Sequence, residues 1–434
     1  MRGGDRELLG LAVPALGALV AEPLFLLGDS AVVGRLGTVE LAGLSLASAV
    51  LLNVVLLCTF LTYGTTTAVA QRAGAGDTGS ALRQGVEGIW LATLIGVGLA
   101  GALLALAGPN LDLLGASARA EPHALAYLRV SALGLPAMLI VLASTGALRG
   151  LKNTRRPLLV MIVAAVANLP LNILLVHGLG MGVFGCALGT VLLQAGAAAW
   201  LAGSVIGAAR RQGVPLGPDS AGMLAAASAS VPLFARTAML RLAIVAMTFV
   251  AAAQGDTALA SHQVAFTLWY LLAMPPEAFA IAGQAMVGHA VGASNTAALR
   301  DLSGRALRWG LGSGLAAAVL LLATRSLYIP LFSSDPAVHD LVWSLVFVVA
   351  ATQPIGAVVY VVDGVLIGAG DTRFLAWSML SALLVFLPLA GAVLVTGAGV
   401  VALWWALTAW LLARQVAVVL RYRSMTWVPV GVRG

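Results

Sequence analysis

The sequence predicts an all-α polytopic membrane protein with twelve transmembrane helices in two six-helix lobes. Three observations predict this fold class: composition, the spacing of apolar windows, and an internal repeat. Of the 434 residues, 60% are hydrophobic and only 9% are charged, and the mean hydropathy is +0.99. Soluble domains carry roughly 25% charged residues. The composition alone therefore places the chain among membrane proteins.

Twelve apolar windows are long enough to cross a bilayer, which takes about 20 predominantly apolar residues per helix. Short breaks rich in Gly, Pro, Asp and Arg separate them. The N-terminal lobe, residues 1–210, contains spans 1 to 6 at 9–33, 42–69, 86–107, 124–147, 157–177 and 183–207. The C-terminal lobe, residues 211–434, contains spans 7 to 12 at 222–251, 259–288, 306–328, 340–366, 374–396 and 398–420.

The two lobes are related by an internal repeat with a fixed numbering offset of 218. The clearest pair of matching segments is GALRGLKNTR (146–155) and GVLIGAGDTR (364–373). Helix-breaking residues keep the same offset through the whole half, in the pairs Pro14 and Pro232, Gly37 and Gly255, Gly74 and Gly292, Pro136 and Pro354, Gly150 and Gly368, and Pro170 and Pro388. Because six is an even number of spans, both halves enter the membrane from the same side, as in a parallel repeat of transporter type.

The basic residues orient the chain. If both termini are cytoplasmic, the periplasmic loops hold only Arg35, Arg119 and Arg325. The cytoplasmic loops and tails then hold Arg2, Arg6, Arg72, Arg83, Arg149, Lys152, Arg155, Arg156, Arg210, Arg211, Arg300, Arg305, Arg308, Arg373, Arg421, Arg423 and Arg433. This is the positive-inside bias of a bacterial inner-membrane protein, so the net charge of +7 indicates orientation and no nucleic-acid partner.

Polar residues inside predicted spans are the candidates for a functional site, because an ionisable group at the bilayer centre is costly. In the N-terminal lobe these are Glu22 and Asp29 on span 1, with Asn168 and Asn172 on span 5. The spacings of seven and four residues let each pair lie on one helix face. Apolar residues occupy the equivalent positions of the second half, so this polar set is not duplicated. Such an asymmetry indicates a site for substrate or coupling ion.

The C-terminal lobe contains a mixed set: Arg236 and Arg241 on span 7, His262, Gln263 and Glu277 on span 8, and Tyr360 and Asp363 on span 10. Two interpretations stay open. Arg236 or Arg241 neutralises Glu277 in a structural ion pair, since a buried acid beside a guanidinium stays ionised. Alternatively, Glu277 or Asp363 couples ion movement to transport. His262 is a secondary candidate, either as a titrating group or as a structural hydrogen bonder.

Several function classes lose support because their motifs are absent from the sequence. It has no G-x-x-x-x-G-K-[ST] for ATP, no H-E-x-x-H and no G-x-S-x-G. The two cysteines, Cys58 and Cys186, lie in apolar windows and are interpreted as packing residues. We expect no catalytic residues, no metal and no cofactor, and a membrane enzyme is disfavoured.

Motifs along most of the chain resemble the multidrug and toxic compound extrusion (MATE) transporters, most closely their DinF-like branch. The motifs are GDSAVVGRLGTVELAG (28–43), FLTYGTTTAVAQRAGAGD (60–77), GALRGLKNTRRPL (146–158), NLPLNILLVHGLGMGVFGCALGT (168–190), ARTAML (235–240), ASHQVAF (260–266), EAFAIAGQAMVG (277–288) and VLIGAGDTR (365–373).

The resemblance implies a secondary antiporter that exports organic, often cationic and amphipathic compounds by alternating access, in exchange for protons or sodium ions. It implies that Asp29 is the coupling acid. Many members carry Asn and then Asp four residues later on span 5, whereas this chain has Asn168 and Asn172. A hard cation prefers charged oxygen ligands, so this substitution favours protons over sodium ions.

One rival function shares the two-lobe architecture. A flippase for lipid-linked precursors would favour a cationic cavity for a pyrophosphate, and the acids of the N-terminal lobe disfavour it. The expected partners are small organic cations and the lipid bilayer, and the expected oligomeric state is a monomer.

Overall fold

The computed structural model describes residues 3–113, 117–332 and 335–429, without the side chains of Glu22, Leu26, Asp112 and Leu113. In these ranges the chain forms fourteen α-helices and one π-helical turn, Leu174–Gly178. The helices are α1 Gly3–Val33, α2 Thr38–Leu57, α3 Phe60–Gly74, α4 Thr78–Leu113, α5 Glu121–Gly150, α6 Arg155–Ile173, α7 Gly182–Arg211, α8 Ser220–Ala253, α9 Asp256–Gly292, α10 Thr296–Ala323, α11 Arg325–Phe332, α12 Pro336–Ala369, α13 Thr372–Thr396 and α14 Val400–Ser424.

Twelve helical segments of the described chain are long and apolar enough to cross a membrane. They coincide with the twelve predicted spans, so the all-α class is confirmed. Two spans differ in detail. Span 2 is interrupted between α2 and α3, where the Thr59 hydroxyl donates to the carbonyl oxygen of Leu56 at 2.8 Å. Span 9 ends at Ala323, and the short helix α11 follows it.

The repeat predicted from the numbering offset is visible in the close packing of two helix pairs. In α5, a Cβ added at Gly146 would lie 2.6 Å from the carbonyl oxygen of Thr62 on α3. In α12, a Cβ at Gly364 would overlap the carbonyl oxygen of Ala280 on α9. The two glycines are equivalent positions of the repeat, and so are their two partners. Small residues at such positions let two membrane helices approach closely.

Contacts between Cα atoms divide the chain into two compact units. The N unit is Gly17–Val231, and the C unit is the stretch ending at Leu16 together with the chain from Pro232 onward. Compared with lobes divided between residues 210 and 211, the described residues up to Leu16 lie in the C unit and the segment 211–231 lies in the N unit. The lobe boundary inferred from the sequence stays a prediction, and the two units are described separately below.

Candidate functional site

Asp29 is the centre of a buried polar site in the N unit. It lies near the end of α1, and only 2% of its surface is exposed. Its Oδ1 accepts hydrogen bonds from Nδ2 of Asn168 at 3.0 Å and from Nδ2 of Asn172 at 2.7 Å. The structure thus brings together three of the four candidates in the N-terminal lobe. The fourth, Glu22, lies outside the described side chains.

The local sequence makes room for the two amides. Pro170 lies between Asn168 and Asn172 in α6, and the π-helical turn begins directly after α6 ends. Such turns occur often at functional sites. A Cβ at Gly28 would lie 3.1 Å from Oδ1 of Asn168, and a Cβ at Gly189 would overlap Oδ1 of Asn172. Larger residues at either glycine would displace an amide from Asp29.

Two further side chains complete the site. The Thr190 hydroxyl on α7 lies 3.3 Å from Oδ2 of Asp29 and 3.1 Å from the carbonyl oxygen of Cys186. A hydroxyl has one hydrogen, so Thr190 donates to one of these oxygens at a time. The Tyr127 hydroxyl on α5 hydrogen-bonds Ser48 and Thr190. The site is therefore built from α1, α5, α6 and α7.

The electrostatic character of the site follows from what surrounds the carboxylate. Asn168, Asn172 and Thr190 are neutral groups, and in the described ranges no basic side chain comes within 4.0 Å of Asp29. Burial of an ionised carboxylate without a counter-ion is unfavourable. Binding of either a cation or a proton would relieve that cost.

The C unit contains a buried acid with the opposite environment. Asp363 on α12 is 2% exposed, and its Oδ2 lies 2.6 Å from Nη2 of Arg236 on α8. The same oxygen also pairs with Nη2 of Arg414 on α14, which is 1% exposed. Tyr360 is close enough to this triad and to Glu277 for electrostatic interaction. The structure thus pairs Arg236 with Asp363.

His262 lies in an aromatic environment. It is 1% exposed, and its ring centroid lies 6.0 Å from that of Phe266 and 5.9 Å from that of Trp404. Its Nε2 is 3.5 Å from the Thr248 hydroxyl. The structure therefore places His262 in the apolar core of the C unit. The neighbouring Gln263 is exposed, and Arg241 is partly buried.

The duplicated scaffold is recognised by comparison with known proteins. The MatE family model matches the chain twice, over residues 14–174 and 232–391. The chain belongs to the MatE family. The starts of the two matches, at 14 and 232, differ by the offset found within the sequence. Membership makes the chain a polytopic membrane transporter and confirms the family that its motifs resemble.

Two curated MatE relatives have the same sequence identity to this chain. Multidrug resistance protein PmpM of Pseudomonas aeruginosa is 31% identical, covering 86% of this chain and 80% of its own length. DNA damage-inducible protein F of Escherichia coli is also 31% identical, covering 85% of this chain and 82% of its own. The second relative agrees with the predicted DinF-like branch.

Solved MatE structures share the fold. A mutant of the Vibrio cholerae MATE transporter VcmN superposes with a TM-score of 0.91, covering 99% of both chains at 20% identity. At this identity the likeness concerns the fold alone. The match supports the two-lobe, twelve-helix architecture for this MatE chain.

Three residues of the two buried clusters, one around Asp29 and one around Asp363, were not among the sequence candidates: Tyr127, Thr190 and Arg414. A single Tyr in an apolar window is common, so no sequence signal marked Tyr127. Thr190 ends the motif 168–190, but nothing in the motif distinguished it from its neighbours as a site residue. Arg414 carries a signal, because it is a lone charge inside the predicted span 398–420. The criterion that selected Arg236 would have selected it as well.

Proposed function

We propose that this chain exports amphipathic organic cations across the bacterial cytoplasmic membrane in exchange for protons. The observation that carries the proposal is Asp29, a buried carboxylate held by neutral donors without a counter-ion in the described part of the chain. Family membership and the multidrug resistance relative PmpM support the substrate class.

Substrate and proton compete for Asp29 in this mechanism. When Asp29 is ionised, its charge favours an organic cation, because an opposite charge in a medium of low dielectric constant is strongly attracted. Protonation of Asp29 removes the negative charge and with it the attraction. Exchange is obligatory if the empty, ionised site disfavours the conformational switch. The proton enters the site as the substrate leaves, and the return of the protonated site carries it to the cytoplasm.

The surrounding groups fit both protonation states. Oδ1 of Asn172 has no hydrogen-bond partner among the described residues, although the side chain is fully buried. Rotation of this amide would let Oδ1 accept a hydrogen bond from protonated Asp29. The Thr190 hydroxyl can also accept, since its own hydrogen reaches the carbonyl oxygen of Cys186.

Protons are favoured over sodium ions for two reasons. The position that carries a second acid in many relatives is Asn172, which offers a neutral oxygen. In the C unit, Asp363 is already paired with Arg236 and Arg414, and these two guanidinium groups occupy the place of an exchangeable cation. Sodium coupling through Asp29 is the second candidate, and the experiment below separates the two.

Orientation and assembly belong to the same proposal. The distribution of Arg and Lys favours cytoplasmic termini. Binding of a cation at Asp29 needs side chains from the N unit alone, which supports a functional monomer. A lipid-linked pyrophosphate would need basic side chains without acidic partners, so the pairing of Arg236 and Arg414 with Asp363 disfavours that substrate.

The test is ethidium efflux from proteoliposomes with an imposed pH or sodium gradient. We expect a pH gradient alone to drive efflux, and Asp29→Asn to abolish it. Asp340→Asn is the matched control, because it makes the same chemical change at an exposed position. Efflux driven only by sodium would replace protons by sodium in the mechanism. Gradient-driven efflux that persists in Asp29→Asn would refute coupling through this site.

A further inference from the structure

Helices α1 and α8 each contribute to both units. The boundary between the units falls between Leu16 and Gly17 in α1, and between Val231 and Pro232 in α8. The start of α1 therefore belongs to the C unit, while its end carries Asp29 in the N unit. The start of α8 belongs to the N unit, while its end carries Arg236 in the C unit. A charged cluster holds each start in place.

The start of α1 is held by α10. Nη1 of Arg305 lies 3.2 Å from Oδ2 of Asp5, and the Nε of Arg305 donates to Oδ2 of Asp301 at 2.8 Å. The indole N–H of Trp309 donates to Oδ1 of Asp5 at 3.3 Å. A Cβ added at Gly4 would lie 3.2 Å from Nε of Arg305. We call this group the α1 anchor.

The start of α8 and the preceding linker are held by α4. The guanidinium of Arg83 donates to the carbonyl oxygens of Pro215 at 2.6 Å and of Gly217 at 2.9 Å. Its Nε donates to Oε1 of Glu87 at 3.0 Å. The Glu87 carboxylate is buried against the first turn of α8, where a Cβ at Gly222 would lie 2.6 Å from its Cδ. We call this group the α8 anchor.

The two anchors occupy equivalent positions of the internal repeat with opposite charges. The offset of 218 relates Gly4 to Gly222 and Glu87 to Arg305. Arg83 likewise corresponds to Asp301. Each anchor is therefore an i,i+4 ion pair on one helix, packed against a glycine in the first turn of another. Its presence in both halves, with the signs inverted, indicates a role tied to the duplicated scaffold.

Opening either anchor would break several contacts at once. A single exposed ion pair contributes little, but each anchor combines an ion pair, further hydrogen bonds and close packing on a glycine. A hydrogen bond to a charged group contributes more to stability than one between neutral groups. Opening the α8 anchor would exchange the hydrogen bonds of Arg83 to Glu87, Pro215 and Gly217 for bonds to water. It would also lose the packing of the buried Glu87 on α8. Such a change would be costly in every cycle of transport.

We propose that, throughout the transport cycle, the α1 anchor holds the start of α1 in the C unit and the α8 anchor holds the start of α8 in the N unit. The two helices then transmit movement of one unit to the other. Asp29 also lies on α1. A movement of α1 that accompanies binding or release at Asp29 would therefore reach the C unit through the α1 anchor. Neither anchor includes a residue of the Asp29 site or of the Asp363 triad.

Cross-linking tests this proposal. The pairs Asp5→Cys with Arg305→Cys, and Glu87→Cys with Gly222→Cys, are joined by a short flexible bis-methanethiosulfonate. The background carries Ala in place of the buried Cys58 and Cys186. We expect each unlinked pair to transport at least about fivefold more slowly than the background, and the linked protein to recover to within about twofold. Arg300→Ala, at an exposed position of α10, controls for loss of a basic charge.

Two results would overturn the proposal: a linked protein that transports only after the linker is reduced, or an unlinked pair with full activity. A second measurement does not depend on transport and uses the unsubstituted protein, in which both anchors are intact. Hydrogen–deuterium exchange of peptides that cover the starts of α1 and α8 should be the same with or without ethidium at constant pH, because a permanent anchor does not open. Exchange there that changes severalfold when ethidium or a second organic cation is added would refute permanence, even if neither compound is exported.

Discussion

Replacing Asp363 by Asn should destabilise the C unit strongly. The carboxylate accepts from two guanidinium groups, and Arg236, Asp363 and Arg414 are 9%, 2% and 1% exposed. An amide in its place is neutral, so two buried positive charges would lose their shared counter-ion. Removal of one member of a buried ion pair costs about 3–5 kcal/mol, because the remaining charge is left uncompensated.

This cost can be expressed as a shift of the unfolding temperature. For a unit of about 150–250 residues, each kcal/mol lowers the midpoint by about 2–4 °C, so the expected drop is at least about 6 °C. The matched variant is Asp29→Asn, which also neutralises a buried acid. Its partners are neutral amides and a hydroxyl, so no charge is left behind. We expect its midpoint to stay within about 3 °C of the original protein.

Two probes distinguish the units during thermal unfolding in detergent. Trp404 and Trp410 are buried in the C unit, so intrinsic fluorescence largely follows the unfolding of that unit. Cys58 and Cys186 are buried in the N unit, so labelling by a thiol-reactive dye follows the unfolding of the N unit. Asp363→Asn should lower the fluorescence midpoint. Two results would refute the assignment of Asp363 as a structural acid and of Asp29 as an acid without a counter-ion. One is an unchanged fluorescence midpoint in Asp363→Asn. The other is a drop of the unfolding midpoint in Asp29→Asn as large as that in Asp363→Asn.

Three further predictions concern Asn172, two closely packed glycines and His262. Asn172→Asp adds a second carboxylate beside Asp29, and we expect transport by this variant to take more protons per ethidium or to respond to sodium, measured as ion flux in proteoliposomes. Gly146→Ala and Gly364→Ala should each lower the unfolding midpoint, because the added methyl meets a carbonyl oxygen, whereas Gly98→Ala, with open space, should not. His262→Gln should leave the pH dependence of efflux unchanged, and a shifted pH profile would contradict its assignment to the core.

The twelve spans were predictable because hydropathy alone distinguishes a membrane helix from its loops. Their ends were not. The helix α8 begins at Ser220, and α9 extends to Gly292, beyond windows that end where apolar residues stop. Polar residues at helix ends continue the backbone hydrogen bonds but do not count toward an apolar window. The interruption at Thr59 contains no Pro or Gly, so nothing in the sequence marked it.

The Asp29 site was partly predictable because helical spacing places Asn168 and Asn172 on one face. Contact between that face and Asp29 joins residues 139 and 143 positions apart, which spacing within a helix does not predict. The same limit explains the C unit. Asp363 was identified as a buried acid, but its pairing with Arg236 and Arg414 depends on how three helices pack. A buried charge is visible in a sequence, whereas its partner is a property of the fold.

The contrast between Asp29 and Asp363 predicts the electrical behaviour of transport. If Asp29 is the single exchangeable acid, one monovalent cation leaves for each proton that enters, and no net charge crosses the membrane. Moving one charge against about 100 mV costs about 2.3 kcal/mol, and the entering proton cancels that cost. Ethidium efflux at a fixed pH gradient should therefore be insensitive to a potassium diffusion potential set with valinomycin. Acceleration by an inside-negative potential would mean that a second group is protonated in each cycle, and Glu22, two turns before Asp29 on α1, would be the first residue to replace by Gln.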